Sequence, residues 1–204
     1  KVQRDYGDLG LPGGVLWATC NVGAEKPEEY GLLFAWGDTK GYKDNEIGSF
    51  PFTQGLYKFR GNYLSKYCVD SNYGIADNKT KLDPEDDAAI VNWGDGWRMP
   101  TFQEIQDLFN SNYVTVEKVT MNGVGGRKVT SKSNGNSIFL PATGYGLGSN
   151  LLNRDTHGYY WTSDLYTQNC TMGYCLYFHD GAFSWSAWER WQGYGIRPVR
   201  VSTK

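Results

Sequence analysis

The stretch WRMPTFQEIQDLFNSNYVTVEKVTMNGVGGRKVTSKSNGNSIFLP, residues 97–141, decides the fold because its pattern changes from helix to strand near residue 112. Thr101 and Glu104 have the spacing of a capping box, in which a hydroxyl and a carboxylate satisfy backbone amides at the start of a helix. Apolar residues at helical spacing follow: Phe102, Ile105, Leu108 and Phe109. The sequence therefore predicts an amphipathic helix that ends near Asn110.

The residues after position 112 alternate between polar and apolar side chains, as strands do. Asn122-Gly123 separates two such runs, at 114–120 and 127–131, and predicts a hairpin. Other short apolar runs predict strands at 15–20, 32–36, 137–141, 159–163, 174–178 and 194–201. Residues 38–80, 142–158, 164–173 and 179–193 are expected to be loops. Together these elements predict an α+β fold in one domain, residues 1–204.

Asp83-Pro84-Glu85-Asp86 predicts the start of a second helix. Asp83 would accept hydrogen bonds from the first amides, Pro suits the first helical position, and acidic side chains favour the positive end of the helix dipole. With Asp87, the same carboxylates could instead bind calcium. The capping role is the favoured interpretation, because acidic residues are common in a first helical turn.

The composition narrows the classes of function. With 22 acidic and 20 basic residues, the net charge of −2 offers no basic field for nucleic acid or anionic lipid. An apolar run near 18 residues is absent, and four cysteines and two histidines lack zinc-site spacing. A chain of 204 residues can bury a sizeable core, so we expect it to fold without metal or other cofactor.

Several blocks occur in order along the chain: 9–24 (LGLPGGVLWATCNVGA), 30–31 with 34–37, 83–89, 97–101 (WRMPT), 138–142, 158–163 (GYYWTS) and 195–199. Together they resemble the Fibrobacter-type major paralogous domain family of secreted bacterial proteins, over about residues 8–200. The resemblance implies a C-type-lectin-like fold, related to formylglycine-generating enzymes and to the variable proteins of diversity-generating retroelements. In that fold two helices pack on a small twisted antiparallel sheet, and the terminal strands lie together.

The resemblance also implies an exported protein, often an outer-surface lipoprotein or adhesin, that binds ligands through loops near its C-terminus. The chain begins at Lys1 without Met. We therefore expect it to be the C-terminal part of a longer protein whose leader is removed. We expect no enzymatic activity, no nucleic-acid partner and no membrane insertion of this segment.

Residues 183–194, FSWSAWERWQGY, are the candidate centre of a ligand-binding surface. Exposed aromatic rings with an arginine are typical of binding hot spots and of sugar-stacking platforms. The predicted ligand is a glycan or a surface protein. The site residues are Trp185, Trp188, Glu189, Arg190 and Trp191, with Tyr145, Asn150, Asn153, Arg154, His157, Tyr166, Gln168, Asn169 and Tyr174 from neighbouring loops.

We expect Trp188 and Trp191 to be at least partly exposed, on the same face as loops 145–157 and 164–174. In the alternative arrangement Trp185 packs inward and the other two cover a sheet edge. Large aromatics in or beside strands and helix caps are usually core, as expected for Trp17, Trp36, Trp93, Trp97 and Trp161. Arg98 and Arg197 are predicted to be structural, because a guanidinium can bond several buried acceptors at once.

Two other functions remain open. The domain could be a structural or tip domain of a surface assembly, whose aromatic loops dock a neighbouring subunit. Cys170 and Cys175 also have the C-x4-C spacing of the redox-active pair of formylglycine-generating enzymes, which implies a copper–thiol oxidase as a minor alternative. A local disulfide or two unrelated thiols explain the same pair. Hydrolase, zinc-protease and nucleotide-binding motifs are absent, as are the calcium-dependent sugar-binding motifs.

Overall fold

The computed structural model describes residues 3–60, 63–94 and 96–202. Over these ranges the chain is a mixed α+β fold of small antiparallel sheets and two α-helices, which confirms the predicted class. The elements are β1 (Tyr6–Gly7), β2 (Val15–Ala18), α1 (Ala88–Trp93), β3 (Trp97–Arg98), α2 (Phe102–Phe109), β4 (Val114–Met121), β5 (Val124–Ser131), β6 (Ser137–Pro141), β7 (Tyr145–Leu147), β8 (Asn150–Leu152), β9 (Gly158–Leu165), β10 (Met172–His179), β11 (Ala182–Glu189) and β12 (Val199–Val201).

One sheet joins the two ends of the chain. Its order is β1-β2-β12-β3, with every neighbouring pair antiparallel. Val199 lies opposite Trp17 on one side and Arg98 on the other. The C-terminal strand β12 therefore lies beside β2 in the same sheet as the N-terminal strand β1, as expected.

The predicted hairpin is confirmed in the sheet β4-β5-β6. Asn122 and Gly123 have φ of 49° and 85°, the positive values that a two-residue type I′ turn requires. A further two-stranded sheet, β7-β8, lies within residues that were expected to be loop.

Helix α2 begins as predicted. The Thr101 hydroxyl accepts the Glu104 amide at 3.2 Å, and the Glu104 carboxylate accepts the Thr101 amide at 2.8 Å. Arg98 adds two hydrogen bonds to the same carboxylate, at 2.8 and 2.6 Å. Ile105 and Leu108 are buried beneath the helix. A guanidinium thus joins β3 to the first turn of α2.

The helix predicted to start at Asp83 starts later. Pro84–Asp86 form one turn of 3₁₀ helix, and α1 begins at Ala88. Asp87 is its N-cap, since its carboxylate accepts the amides of Ala89 and Ile90 at 2.9 and 3.0 Å. Asp83 does not cap the helix because its carboxylate is bound by lysines instead.

The sheet β11-β10-β9 separates two hydrophobic cores. Successive strand residues point to opposite sides. Tyr160 and Leu176 enter one core, whereas Trp161 and Cys175 enter the other. Trp161 is fully buried, as predicted. The expectation that 179–193 is a loop is wrong for most of its length, because β11 pairs with all of β10 around Asp180-Gly181.

Two predicted strands form only in small part. In the segment 32–36, only Leu33 and Phe34 form isolated bridges. Of residues 194–201, only Val199–Val201 form a strand, since Tyr194 and Gly195 bridge separately to Phe34 and to Tyr160. Among the described residues, there is no helix with the length and apolar character needed to cross a membrane.

The structural role predicted for Arg197 is confirmed. It is 1% exposed and donates to the Asn21 side chain at 2.8 Å. It also donates to the carbonyls of Ala18 and Phe139, at 3.3 and 2.8 Å. This side chain therefore joins the segment just before β12 to both β2 and β6.

Candidate functional site

The predicted site residues lie on both sides of the sheet β11-β10-β9 rather than on one surface. Trp185 and Leu176 are cross-strand partners on one side, and Ser184 and Tyr177 are partners on the other. Trp188 is an odd number of positions from Trp185, so its side chain leaves β11 on the opposite side. The structure thus divides the predicted surface into two separate faces.

The first, here called the tryptophan face, consists of Phe102, Tyr166, Tyr174 and Trp185. Phe102 and Tyr174 are stacked, with ring centroids 3.9 Å apart and planes 15° apart. Trp185 stands nearly perpendicular to both rings, at 5.3 and 5.5 Å, and remains 41% exposed. The rings of Tyr166 and Tyr174 pack edge to face, with their centroids 5.2 Å apart. Helix α2 and two strands therefore hold an exposed indole in a defined orientation.

Polar groups border the tryptophan face. The Tyr166 hydroxyl donates to the Gln168 side-chain oxygen at 2.9 Å. Asp164 accepts the Phe102 amide at 2.6 Å, and burial raises the pKa of this carboxyl group. The face thus offers aromatic rings for apolar contact and an amide and a hydroxyl for hydrogen bonding.

The second, here called the histidine face, consists of Tyr145, His157, Tyr177 and His179 over the buried ring of Tyr159. The two imidazole rings stack with their centroids 5.3 Å apart. The centroid of the Tyr177 ring lies 6.0 Å from that of His157 and 5.3 Å from that of His179. Tyr159 contacts Tyr145 at 4.8 Å and Tyr177 at 5.0 Å. Burial and the neighbouring His179 lower the pKa of His157.

Two predicted residues near the histidine face have internal roles. The Arg154 guanidinium donates to the Asp44 carboxylate at 2.5 and 2.8 Å and to the Thr143 carbonyl at 2.7 Å. It also lies over the Tyr30 ring. Asn153 has φ of 56° and shapes the turn before β9. Arg154 is therefore a structural clamp and not a free ligand contact.

Arg190 was predicted to bind ligand, and the structure corrects this. Its side chain is 0% exposed and lies over the Trp36 ring at 4.8 Å. It donates to the Tyr57 hydroxyl at 3.0 Å and to three backbone carbonyls. Because these acceptors surround the guanidinium inside the core, no surface ligand can reach it.

The other two tryptophans of this stretch differ from each other. Trp188 is 40% exposed, which confirms the partial exposure expected for it. Trp191 is half-buried against the core and lines a cavity of about 30 Å³. The expected single face, shared with loops 145–157 and 164–174, does not form. Tyr145 contacts the histidine face, whereas Tyr166 belongs to the tryptophan face.

Glu189 and Asn169 lie at the end of the same sheet. Asn169 accepts the Thr171 amide at 3.0 Å and the Thr171 hydroxyl at 2.9 Å, which fixes the turn before β10. Glu189 is half-buried, and burial raises the pKa of its carboxyl group. Its Oε2 atom has no hydrogen-bond partner among the described residues. Asn150, the first residue of β8, is exposed.

The cysteine pair suggested by spacing is not the pair that the fold brings together. The Cys170 sulfur lies 2.6 Å from the sulfur of Cys68. Cys175 is buried beneath the sheet, opposite Trp161 and Ser186. Burial raises the pKa of the Cys175 thiol. Cys175 is therefore a core residue in this structure.

The acidic cluster considered for calcium is bound by lysines. Asp83, Glu85 and Asp86 place carboxylate oxygens within 4.8 Å of one another. Asp86 contacts Lys58 at 2.5 Å and Lys66 at 2.7 Å. Ion pairs with these ammonium groups already compensate its charge.

Sequence reasoning missed three residues of the two faces. Phe102 was assigned to the core from helical periodicity, and Tyr177 and His179 were not chosen. Asp180-Gly181 is a hairpin signal that would have placed β10 and β11 side by side and revealed both faces.

Comparison of the chain with models of known protein families, with curated proteins and with solved structures found no match.

Proposed function

We propose that this chain is a C-type-lectin-like ligand-binding domain of an exported, cell-surface protein, and that its tryptophan face binds a glycan. The resemblance to the major paralogous domain family supports the fold and the location. The adjacent terminal strands and the two helices are compatible with that fold. The proposal assigns binding and no catalysis to the domain.

The observation that carries the proposal is the exposure of Trp185 on a rigid support. The Trp185 indole is 41% exposed and is held against two stacked rings, so a ligand that covers this aromatic cluster removes apolar surface from water. The negative face of an aromatic ring attracts the weakly positive C–H groups of a sugar. Hydroxyl groups of the sugar could then bond with the Gln168 amide and the Tyr166 hydroxyl at the border.

The helix and strands that carry these rings also keep the entropic cost of ligand binding low. Phe102 lies on α2, and Tyr174 and Trp185 lie on paired strands. A side chain that is already oriented loses little conformational freedom when a ligand binds. The tryptophan face therefore meets the usual conditions of a hot spot, in which one aromatic side chain supplies much of the affinity.

The chain offers a matched pair of variants for the test. Trp185 and Trp188 are the same residue type on the same strand, 41% and 40% exposed, on opposite sides of the sheet. A glycan array first identifies the ligand, and titration calorimetry then measures the dissociation constants of the wild type and both variants. We expect Trp185→Ala to weaken binding about thirtyfold, the equivalent of about 2 kcal/mol, and Trp188→Ala to leave it within about twofold.

Each other outcome is informative. Equal affinity of wild type and Trp185→Ala for the glycan would reject the tryptophan face as the site. Capture of surface proteins only on arrays would replace glycan by protein as the ligand class. Concentration-dependent self-association that Trp185→Ala abolishes would favour the structural role, in which this face docks a neighbouring subunit.

A further inference from the structure

The Cys68 and Cys170 sulfurs lie far closer than two unlinked atoms of their size normally approach. They are 2.6 Å apart, and both side chains are 0% exposed. Non-bonded heavy atoms have their best contact at roughly 3.5–4.0 Å, whereas two sulfurs in a disulfide are about 2.0 Å apart. The fold therefore brings together two thiols that are 102 positions apart in sequence.

Hydrogen bonds hold the two cysteine segments together beside the sulfur–sulfur contact. Arg190 donates to the carbonyl of Tyr67, next to Cys68, and to the carbonyl of Cys170, each at 2.9 Å. The Val69 amide donates to the Cys170 sulfur at 3.1 Å. One buried guanidinium thus joins the two segments, so the thiols stay in contact without a covalent bond.

We propose that Cys68 and Cys170 form a disulfide that attaches the loop between β9 and β10 to the segment around residue 68. Each thiol loses one proton and one electron as the sulfur–sulfur bond forms. The two electrons reduce the disulfide of a thiol–disulfide oxidant, such as oxidised glutathione or a disulfide oxidoreductase, to two thiols. Cys20 and Cys175 stay reduced.

The bond forms while the chain is folding. Thiol–disulfide exchange requires a thiolate and access to the oxidant. In the folded chain both sulfurs are inaccessible, and burial beside Cys170 raises the pKa of Cys68 to about 11. The closed disulfide is protected from reductants by the same burial. Because the loop it holds carries Tyr166, the crosslink also fixes one edge of the tryptophan face.

The test is peptide mapping of the full chain refolded with oxidised and reduced glutathione. The chain is alkylated in denaturant and digested without reduction, and peptides are identified by mass spectrometry. We expect one linked peptide pair containing residues 68 and 170, with Cys20 and Cys175 alkylated. Four alkylated cysteines, or a link between Cys170 and Cys175, would overturn the proposal.

Thermal melting gives a second readout. Closing a loop of about 100 residues should raise the melting temperature by on the order of 10 °C. Reductant present during refolding should therefore lower the melting temperature of the wild type and of the control Cys20→Ser. It should leave Cys68→Ser unchanged. A wild-type melting temperature that does not respond to reductant would contradict the proposal, and the mapping result stands even if Cys68→Ser fails to fold.

Discussion

Replacing Arg190 with Met would remove a buried guanidinium and keep most of the volume of its apolar stem. The lost partners are the Tyr57 hydroxyl at 3.0 Å and the carbonyls of Lys66, Tyr67 and Cys170 at 3.0, 2.9 and 2.9 Å. The hydroxyl already donates to the Trp36 carbonyl at 2.5 Å and so keeps a partner. The three carbonyls would be the groups left without a donor.

The magnitude follows from those three carbonyls. A buried polar group without a partner costs about 1–3 kcal/mol, so three would cost about 3–9 kcal/mol. Removing the buried charge returns part of its desolvation penalty, which is several kcal/mol. We therefore expect Arg190→Met to lower the free energy of unfolding by about 3–5 kcal/mol, a large part of the typical 5–15 kcal/mol of a domain.

Urea unfolding, followed by tryptophan fluorescence at pH 7, measures this change. The matched control is Arg60→Met, because Arg60 is exposed and lies in the same part of the molecule. It should change the free energy of unfolding by less than about 0.5 kcal/mol. If Arg190→Met were equally mild, and ligand binding were lost, Arg190 would be a ligand contact and the structural assignment would be refuted.

Two further predictions concern stability alone. Hydrogen bonds from Lys66 and Lys79 lower the pKa of Asp83 to about 2, so its contribution to folding stability is present above about pH 4 and is lost as the pH falls towards 2. Urea unfolding at pH 5 and pH 3 should therefore show a smaller change in the free energy of unfolding between the two pH values for Asp83→Asn than for the wild type. The same change in both proteins would contradict the ion pairs. A β-carbon at Gly158 would lie 2.2 Å from the Phe178 ring. Gly158→Ala should therefore lower the free energy of unfolding by about 1–3 kcal/mol in the same assay. The control Gly55→Ala, which has open space around the new β-carbon, should be nearly neutral. Equal effects of the two substitutions would show that the Phe178 ring can move aside.

Sequence reasoning succeeded where a structure depends on neighbouring residues. The capping box of Thr101 and Glu104 and the Asn122-Gly123 turn are local rules, and both form as predicted. The start of the first helix was misplaced because two aspartates competed for the capping role. The Asp83 carboxylate binds Lys66 and Lys79 through ion pairs, and Asp87 caps α1.

The sequence predicted which residue types form the candidate site but not how they are arranged. Aromatic residues of the late half do form exposed clusters, but most of residues 183–194 were expected to lie in a loop. Once β11 is recognised, alternation alone sends Trp185 and Trp188 to opposite sides. The burial of Arg190 could not be foreseen, because its acceptors come from residues 57–67 and 170.

The position of Arg190 explains how the tryptophan face can be rigid although a loop borders it. Its guanidinium reaches from the end of β11 to the segment around Tyr67 and to the loop before β10. The two ends of the loop that carries Tyr166 are thus fixed, one by β9 and the other by this arginine and Cys170. If the tryptophan face binds a glycan as proposed, substitutions at exposed loop positions such as Gln168 should change which hydroxyl groups the ligand must present, without moving Trp185. Specificity and scaffold stability would depend on different residues, because the indole is held by strands and helix whereas the polar border is held by a loop.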